Sequence, residues 1–123
     1  AGFTPVVASI ALDDEGAPLN VNADSVAGAL AGALRAEKLV VLTNVDGLYR
    51  DLGDSGSLVS ELKGDELAGM LDELSAGMRP KAQAAVDALR AGVGKVHILD
   101  GRVPHALLLE IFTDEGIGTQ VLP

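Results

Sequence analysis

The chain has no cysteine and no tryptophan, and it carries only one tyrosine and two phenylalanines. Without cysteine there is neither a disulfide frame nor a thiolate metal site, and a reducing, cytoplasmic setting is expected. With so few rings, a chain that is nevertheless 48% hydrophobic must build its core from Val, Leu, Ile and Ala. That mixture suits buried, largely parallel strands covered by helices. No apolar run reaches the roughly 18 residues of a membrane span, and no secretory leader is visible. Positive charge is scarce too. Nine Lys and Arg against 18 Asp and Glu leave a formal net charge of −9, the opposite of the footprint that nucleic acid or an anionic membrane requires. A phosphate ligand survives that balance, because a few local lysines and helix N-termini can hold one. With two histidines and no thiolate, no metal site is expected.

At 123 residues the chain is sized for one domain with a single core. It opens on Ala1-Gly2-Phe3 without methionine, which reads as a piece of something longer. Its organising stretch is residues 19–34, LNVNADSVAGALAGAL. Asn22 suits an N-cap, and Asp24 then falls in the first turn, where the helix dipole favours a carboxylate. Val26, Leu30 and Leu34 recur at helical spacing beside Ala23, Ala27 and Ala31 and predict the buried face. Gly28 and Gly32 each cost roughly 1 kcal/mol against Ala in a helix, and their expected role is close approach to a neighbouring element.

Around that helix the chain alternates. Residues 5–11, PVVASIA, read as a buried strand; Asp13-Asp14-Glu15-Gly16 is a solvated turn, and residues 17–21 return to form a hairpin with it. Residues 38–43, KLVVLT, are the clearest strand, so strand, helix and strand predict a parallel crossover. Residues 58–61 suggest a short strand. Asp65 is placed as the cap of a helix carrying Leu67, Met70, Leu71 and Leu74. Pro80 suits the first turn of the next helix, with Ala82, Ala85, Val86 and Leu89 inward and Gly92 and Gly94 at its end. Residues 96–99 form a strand, Pro104 opens a last helix with Leu107, Leu108 and Ile111 inward, and residues 116–122 close the chain as a strand. The pattern is α/β with three or four largely parallel strands.

Two charged residues could carry chemistry. Lys81 follows Gly77-Met78-Arg79-Pro80 at a helix start, where a glycine turn, free N–H groups and an ammonium can converge on one anion; the alternative is a solvated surface lysine. Asp24 is either a capping carboxylate only or the partner of such a lysine in phosphate chemistry. Other motifs fail. Gly92-Val93-Gly94-Lys95 lacks the first glycine and the Ser or Thr of a P-loop. Ser60-Glu61-Leu62-Lys63 has no partner motifs. His97 in a strand and His105 in a helix are expected to be structural or surface histidines.

Four blocks, LNVNADSVAGALA, KLVVLTNVDGLY, SAGMRPKAQAAVDALRAGV and VHILDGRVPHALLLEIFTDEGIGT, in this order closely resemble the carboxy-terminal half of the acetylglutamate kinases of the amino acid kinase family, of the arginine-sensitive type. The resemblance spans nearly the whole chain. It implies a three-layer α/β/α sandwich with a mostly parallel sheet, of which residues 1–123 are the nucleotide-binding half. It also implies γ-phosphoryl transfer from MgATP, its Mg²⁺ held mainly by the nucleotide, to the side-chain carboxylate of N-acetyl-L-glutamate in arginine biosynthesis. Residue by residue, it makes Asp24 the organiser of the catalytic lysines and Lys81 the cation on the transferring phosphoryl group. Thr43, Asn44, Val45, Asp46, Gly47, Leu48 and Tyr49, with Glu73, Leu74, Ser75 and Gly77, match nucleotide-contacting segments. Asn20 and Asn22 match the acetylglutamate region, and His97, Glu110 and Gly116 match residues around an allosteric arginine.

The departures matter. Asn44 stands where Asp is expected, and Ser75-Ala76-Gly77 replaces a more usual glycine pair. The first glycine-rich loop, the second catalytic lysine and the substrate-binding arginine of such enzymes have no counterpart here. The isolated chain is therefore expected to bind ATP or ADP without turnover, to meet acetylglutamate only with the other half, and to self-associate through a surface that half would cover. The alternative is a folding or assembly module that binds no ligand alone.

Overall fold

The computed structural model describes residues 2–51, 53–112 and 117–123. A hairpin comes first: strands β1 (Ile10–Leu12) and β2 (Pro18–Asn20) pair antiparallel, Ile10 opposite Asn20. Helix α1 (Ala23–Leu34) leads to β3 (Leu39–Thr43), and β4 (Glu61–Lys63) runs directly into α2 (Gly64–Met70). Then come α3 (Arg79–Arg90), β5 (Val96–Asp100), α4 (Ala106–Phe112) and β6 (Thr119–Leu122).

Four strands form one sheet in the order β3-β5-β6-β4. The β3/β5 and β4/β6 pairs are parallel and β5/β6 is antiparallel, so the sheet is mixed and mostly parallel. β5 is buried along its whole length, as expected of a strand covered on both faces. Val96 and Ile98 pack in one cluster with Ala82, Val86 and Leu89 of α3, whereas His97 meets Glu110 of α4. Alternation along a strand sends these two sets to opposite faces. Helices α1, α2 and α3 therefore form one layer, the sheet the second and α4 the third. Among the described residues no helix is long and apolar enough to cross a membrane.

Several local readings change. The strand expected over residues 5–11 is only the three-residue β1, and it is exposed; its hairpin stands apart from the four-stranded sheet, so no parallel crossover joins it to β3. The strand expected at 58–61 lies at Glu61–Lys63, and α2 starts at Gly64 with Lys63 as N-cap, leaving Asp65 in the first turn. α2 ends at Met70, where a 3-10 turn, Leu71–Glu73, takes over. On α4, Leu107, Leu108 and Ile111 face outward while Ala106 and Glu110 are buried. His105 precedes that helix at φ +61.

Candidate functional site

Helix α1 is capped as expected: Asn22 Oδ1 accepts from the N–H groups of Asp24 (2.9 Å) and Ser25 (3.2 Å). Its buried face is not the leucine row. Leu30 is 40% and Leu34 69% exposed, and the buried residues are Gly28, Ala31 and Gly32. A Cβ on Gly28 would lie 2.9 Å from the Ala84 carbonyl oxygen, and one on Gly32 would lie 2.7 Å from Ala91 Cβ. The two helices thus run parallel and almost in backbone contact.

That contact sets the site. Asp24 is one turn before Gly28, and Lys81 is one turn before Ala84, so the two N-termini come side by side. Lys81 Nζ donates to Asp24 Oδ2 at 3.0 Å, with both side chains about one-fifth exposed (21% and 19%). Partial burial makes such a pair stronger than a surface one. It also leaves an ammonium at the mouth of two helices whose dipoles favour an anion.

Beside that mouth is a cavity of about 570 Å³. One wall is the loop after β3, contributing Val45, Gly47, Leu48 and Tyr49; the other precedes α3 and contributes Met70, Glu73, Leu74, Ser75 and Met78. Thr43, Asn44, Asp46 and Gly77 adjoin these walls in sequence without lining the cavity. Asn44 is exposed. The loop is tied inward: Leu48 N–H donates to Thr119 Oγ1 at 2.8 Å, and Tyr49 Oη donates to Asp46 Oδ2 at 2.6 Å, which pushes the phenol's pKa up. Next to Asp46, Asp100 at the end of β5 holds a forked Arg102, at 2.9 Å to Nε and 2.8 Å to Nη2. That guanidinium keeps the Asp100 carboxyl down at about 2, and its Nη2 reaches to 3.9 Å from Asp46 Oδ1.

A second cavity, of about 460 Å³, opens on the α4 face. Glu110 is buried there against Lys38 Nζ (3.4 Å) and in a close contact with His97 Nδ1. His97 Nε2 and Glu110 Oε2 have no hydrogen-bond partner among the described residues. Lys95, Glu61 and Gln120 complete the polar wall, and Gly116 lies outside the described residues. Burial, helped by Lys38 and Lys95 and opposed by Glu110 and Gln120, lowers the His97 pKa from its ordinary 6.5. A depressed histidine means that below that value the unfolded chain binds the proton first, so stability falls as pH drops through about 6.5. Thermal melts between pH 7.5 and 5 should show that slope, and His97→Gln should flatten it.

Asp24 and Lys81, 57 positions apart, are brought together. Asn20, in the exposed hairpin, and Asn22, the helix cap, lie at the chain's approach to Asp24. Sequence reading missed Met70, Met78, Asp100, Arg102 and Thr119. An Asp-Gly-Arg at the end of a strand, where α/β sheets place ligands, was the available signal for two of them; nothing marked Thr119. The glycines rejected as a P-loop do end α3: Gly92 adopts φ +97, and a Cβ on Gly94 would lie 2.7 Å from the Glu37 carbonyl oxygen.

A sequence profile described as the Amino acid kinase family matches residues 1–100. The chain is 56% identical over its full length to an acetylglutamate kinase of Saccharopolyspora erythraea, covering 41% of that protein. It is 54% identical to another of Corynebacterium jeikeium, covering 39%. The chain thus spans about two-fifths of the length of these curated relatives. Among solved structures, N-acetylglutamate synthase from Neisseria gonorrhoeae, complexed with coenzyme A and N-acetyl-glutamate, superposes with a TM-score of 0.84 at 34% identity. That match covers 94% of this chain and 26% of the other. Carbamate kinase from Giardia lamblia bound to AMP-PNP shares the fold, with a TM-score of 0.71 at 20% identity over 92% of this chain and 36% of its own.

Proposed function

The chain belongs to the amino acid kinase family, and from that premise we propose that residues 1–123 are the nucleotide-binding half of an acetylglutamate kinase. The observation that carries this reading is the Lys81–Asp24 pair at the mouths of two parallel helices, beside a cavity walled by the loop after β3 and by the segment from Met70 to Met78, the N-cap of α3. The triphosphate lies against the helix mouths and the base enters the cavity. In the complete enzyme a side-chain carboxylate oxygen of N-acetyl-L-glutamate attacks the γ-phosphorus. The bond from that phosphorus to the β,γ-bridging oxygen breaks, and ADP leaves with the electron pair. Lys81 offsets the charge on the moving group, and Asp24 holds the ammonium in place.

Among the described residues no three His, Asp or Glu side chains converge as a metal cage. Mg²⁺ arriving with ATP would be held mainly by the nucleotide's own phosphate oxygens and would supply screening of the phosphate charge. Asn20 and Asn22 face the acyl-amino-acid acceptor only when the rest of the enzyme supplies the remaining contacts. Phosphoryl transfer depends on positioning both reactants, so this chain alone binds nucleotide without turnover. Calorimetric titration with MgATP should give millimolar or tighter binding, and no detectable heat or competition would overturn the reading.

The second cavity supports a regulatory arginine site. Its buried Glu110 carboxylate, with Oε2 unpartnered among the described residues beside His97, suits a guanidinium, and arginine should raise the melting temperature of the chain. Self-association has its own support in the exposed Phe3, Val6, Ile10 and Phe112. Light scattering should find species larger than a monomer if those side chains are covered by a second copy.

A further inference from the structure

Thr119, the first residue of β6, is fully buried and uses its hydroxyl twice. Oγ1 donates to the Val59 carbonyl oxygen at 2.6 Å and accepts from Leu48 N–H at 2.8 Å. Val59 N–H in turn donates to the Leu48 carbonyl oxygen at 2.8 Å, which closes a ring of three bonds around one side chain. Gly47 makes room for it, and Gly118 lets the chain enter β6 close against the β5 backbone. A Cβ on Gly47 would lie 2.6 Å from Thr119 Oγ1, and one on Gly118, at φ +83, would lie 2.2 Å from the Ile98 carbonyl oxygen. Leu48, held by this ring, with Gly47 and Tyr49 on either side of it, forms part of the β3 wall of the 570 Å³ cavity.

We infer that Thr119 is a positioning residue for the nucleotide cavity, fixing residues 47–49 in the shape a nucleotide meets without touching the nucleotide itself. The inference rests on the reading above that this cavity takes a nucleotide. A hydroxyl suits the place because Leu48 N–H and the Val59 carbonyl need an acceptor and a donor at one buried point, and a valine of the same shape supplies neither.

Tyr49 is the only tyrosine in a chain without tryptophan, so tyrosine emission reports this loop alone. Thr119→Val should weaken MgATP binding about tenfold, lower Tyr49 anisotropy and open the ring to iodide quenching. Thr119→Ser, which keeps the hydroxyl, should restore both readouts. If Thr119→Val does not fold, Gly47→Ala, which drives a methyl against Oγ1 without emptying the core, should mobilise Tyr49 in the same way. An unchanged Tyr49 signal in these variants, or a serine variant as impaired as the valine one, overturns the assignment. If the unmodified chain binds no MgATP, the nucleotide reading falls, while the Tyr49 measurements still decide the role of Thr119 in holding the wall.

Discussion

Lys81→Ala should weaken MgATP binding by roughly tenfold to a hundredfold, the range set by losing one charge-assisted hydrogen bond worth about 1.5–3 kcal/mol. The loss has two sources. The ammonium no longer meets phosphate oxygens, and Asp24, deprived of its partner at 3.0 Å, adds an uncompensated negative charge to the helix mouth. Asp24→Asn separates them. If Asp24 acts by holding Lys81, the Asp24→Asn/Lys81→Ala chain should bind no more weakly than Lys81→Ala alone, because coupled residues are not additive. Calorimetry on the four chains decides it. Equal binding by Lys81→Ala and the unmodified chain would remove the lysine from the site.

The second large effect lies in the helix contact that makes the pair possible. Gly28→Val should cost about 1–3 kcal/mol of stability, the usual range for overpacking, and lower the melting temperature by roughly 3–15 °C. A valine would gain helix propensity over glycine, but its Cβ begins 2.9 Å from a backbone oxygen of α3 and 3.2 Å from Ala84 Cβ. Backbone cannot swing aside as a flexible side chain can, so the helices must part. Parting them moves Asp24 away from Lys81, since both lie one turn N-terminal to the collision. Gly28→Val should therefore reduce MgATP affinity even at temperatures where it remains folded. Gly69→Ala, on α2 where a Cβ meets nothing within 4 Å, is the control: it should leave MgATP affinity unchanged and raise stability by up to about 1 kcal/mol through helix propensity alone. A Gly28→Val chain as stable as its parent would mean that the close approach is not a requirement of the fold.

These two predictions differ in how they could be foreseen. The helix start that carries Lys81 was legible, because Pro80 and a glycine turn mark where α3 begins. The cap at Asn22 and the carboxylate at Asp24 were legible for the same reason, as were the strand at residues 39–43 and the inward face of α3. The two glycines were readable as points of close approach, though not as the face that is buried. The leucine row on α1 pointed the wrong way because periodicity finds a helix with an apolar side, while the neighbour decides which side is covered. On α4 the same error recurs, with leucines outward and the charged Glu110 buried against Lys38 and His97.

By itself, then, the sequence determined the composition of the core, the order of helices and strands, and the two helix starts that carry Asp24 and Lys81. Caps, proline, glycine and branched runs act through backbone groups a few positions away, so they leave their mark locally. Only the tertiary structure decided that Asp24 meets Lys81, that Thr119 fastens Leu48, and that the hairpin of residues 10–20 stands outside the main sheet. Those outcomes depend on pairings between residues as much as 57 and 71 positions apart. They are settled by which surfaces pack most closely, a property of the whole chain and of no single stretch of it.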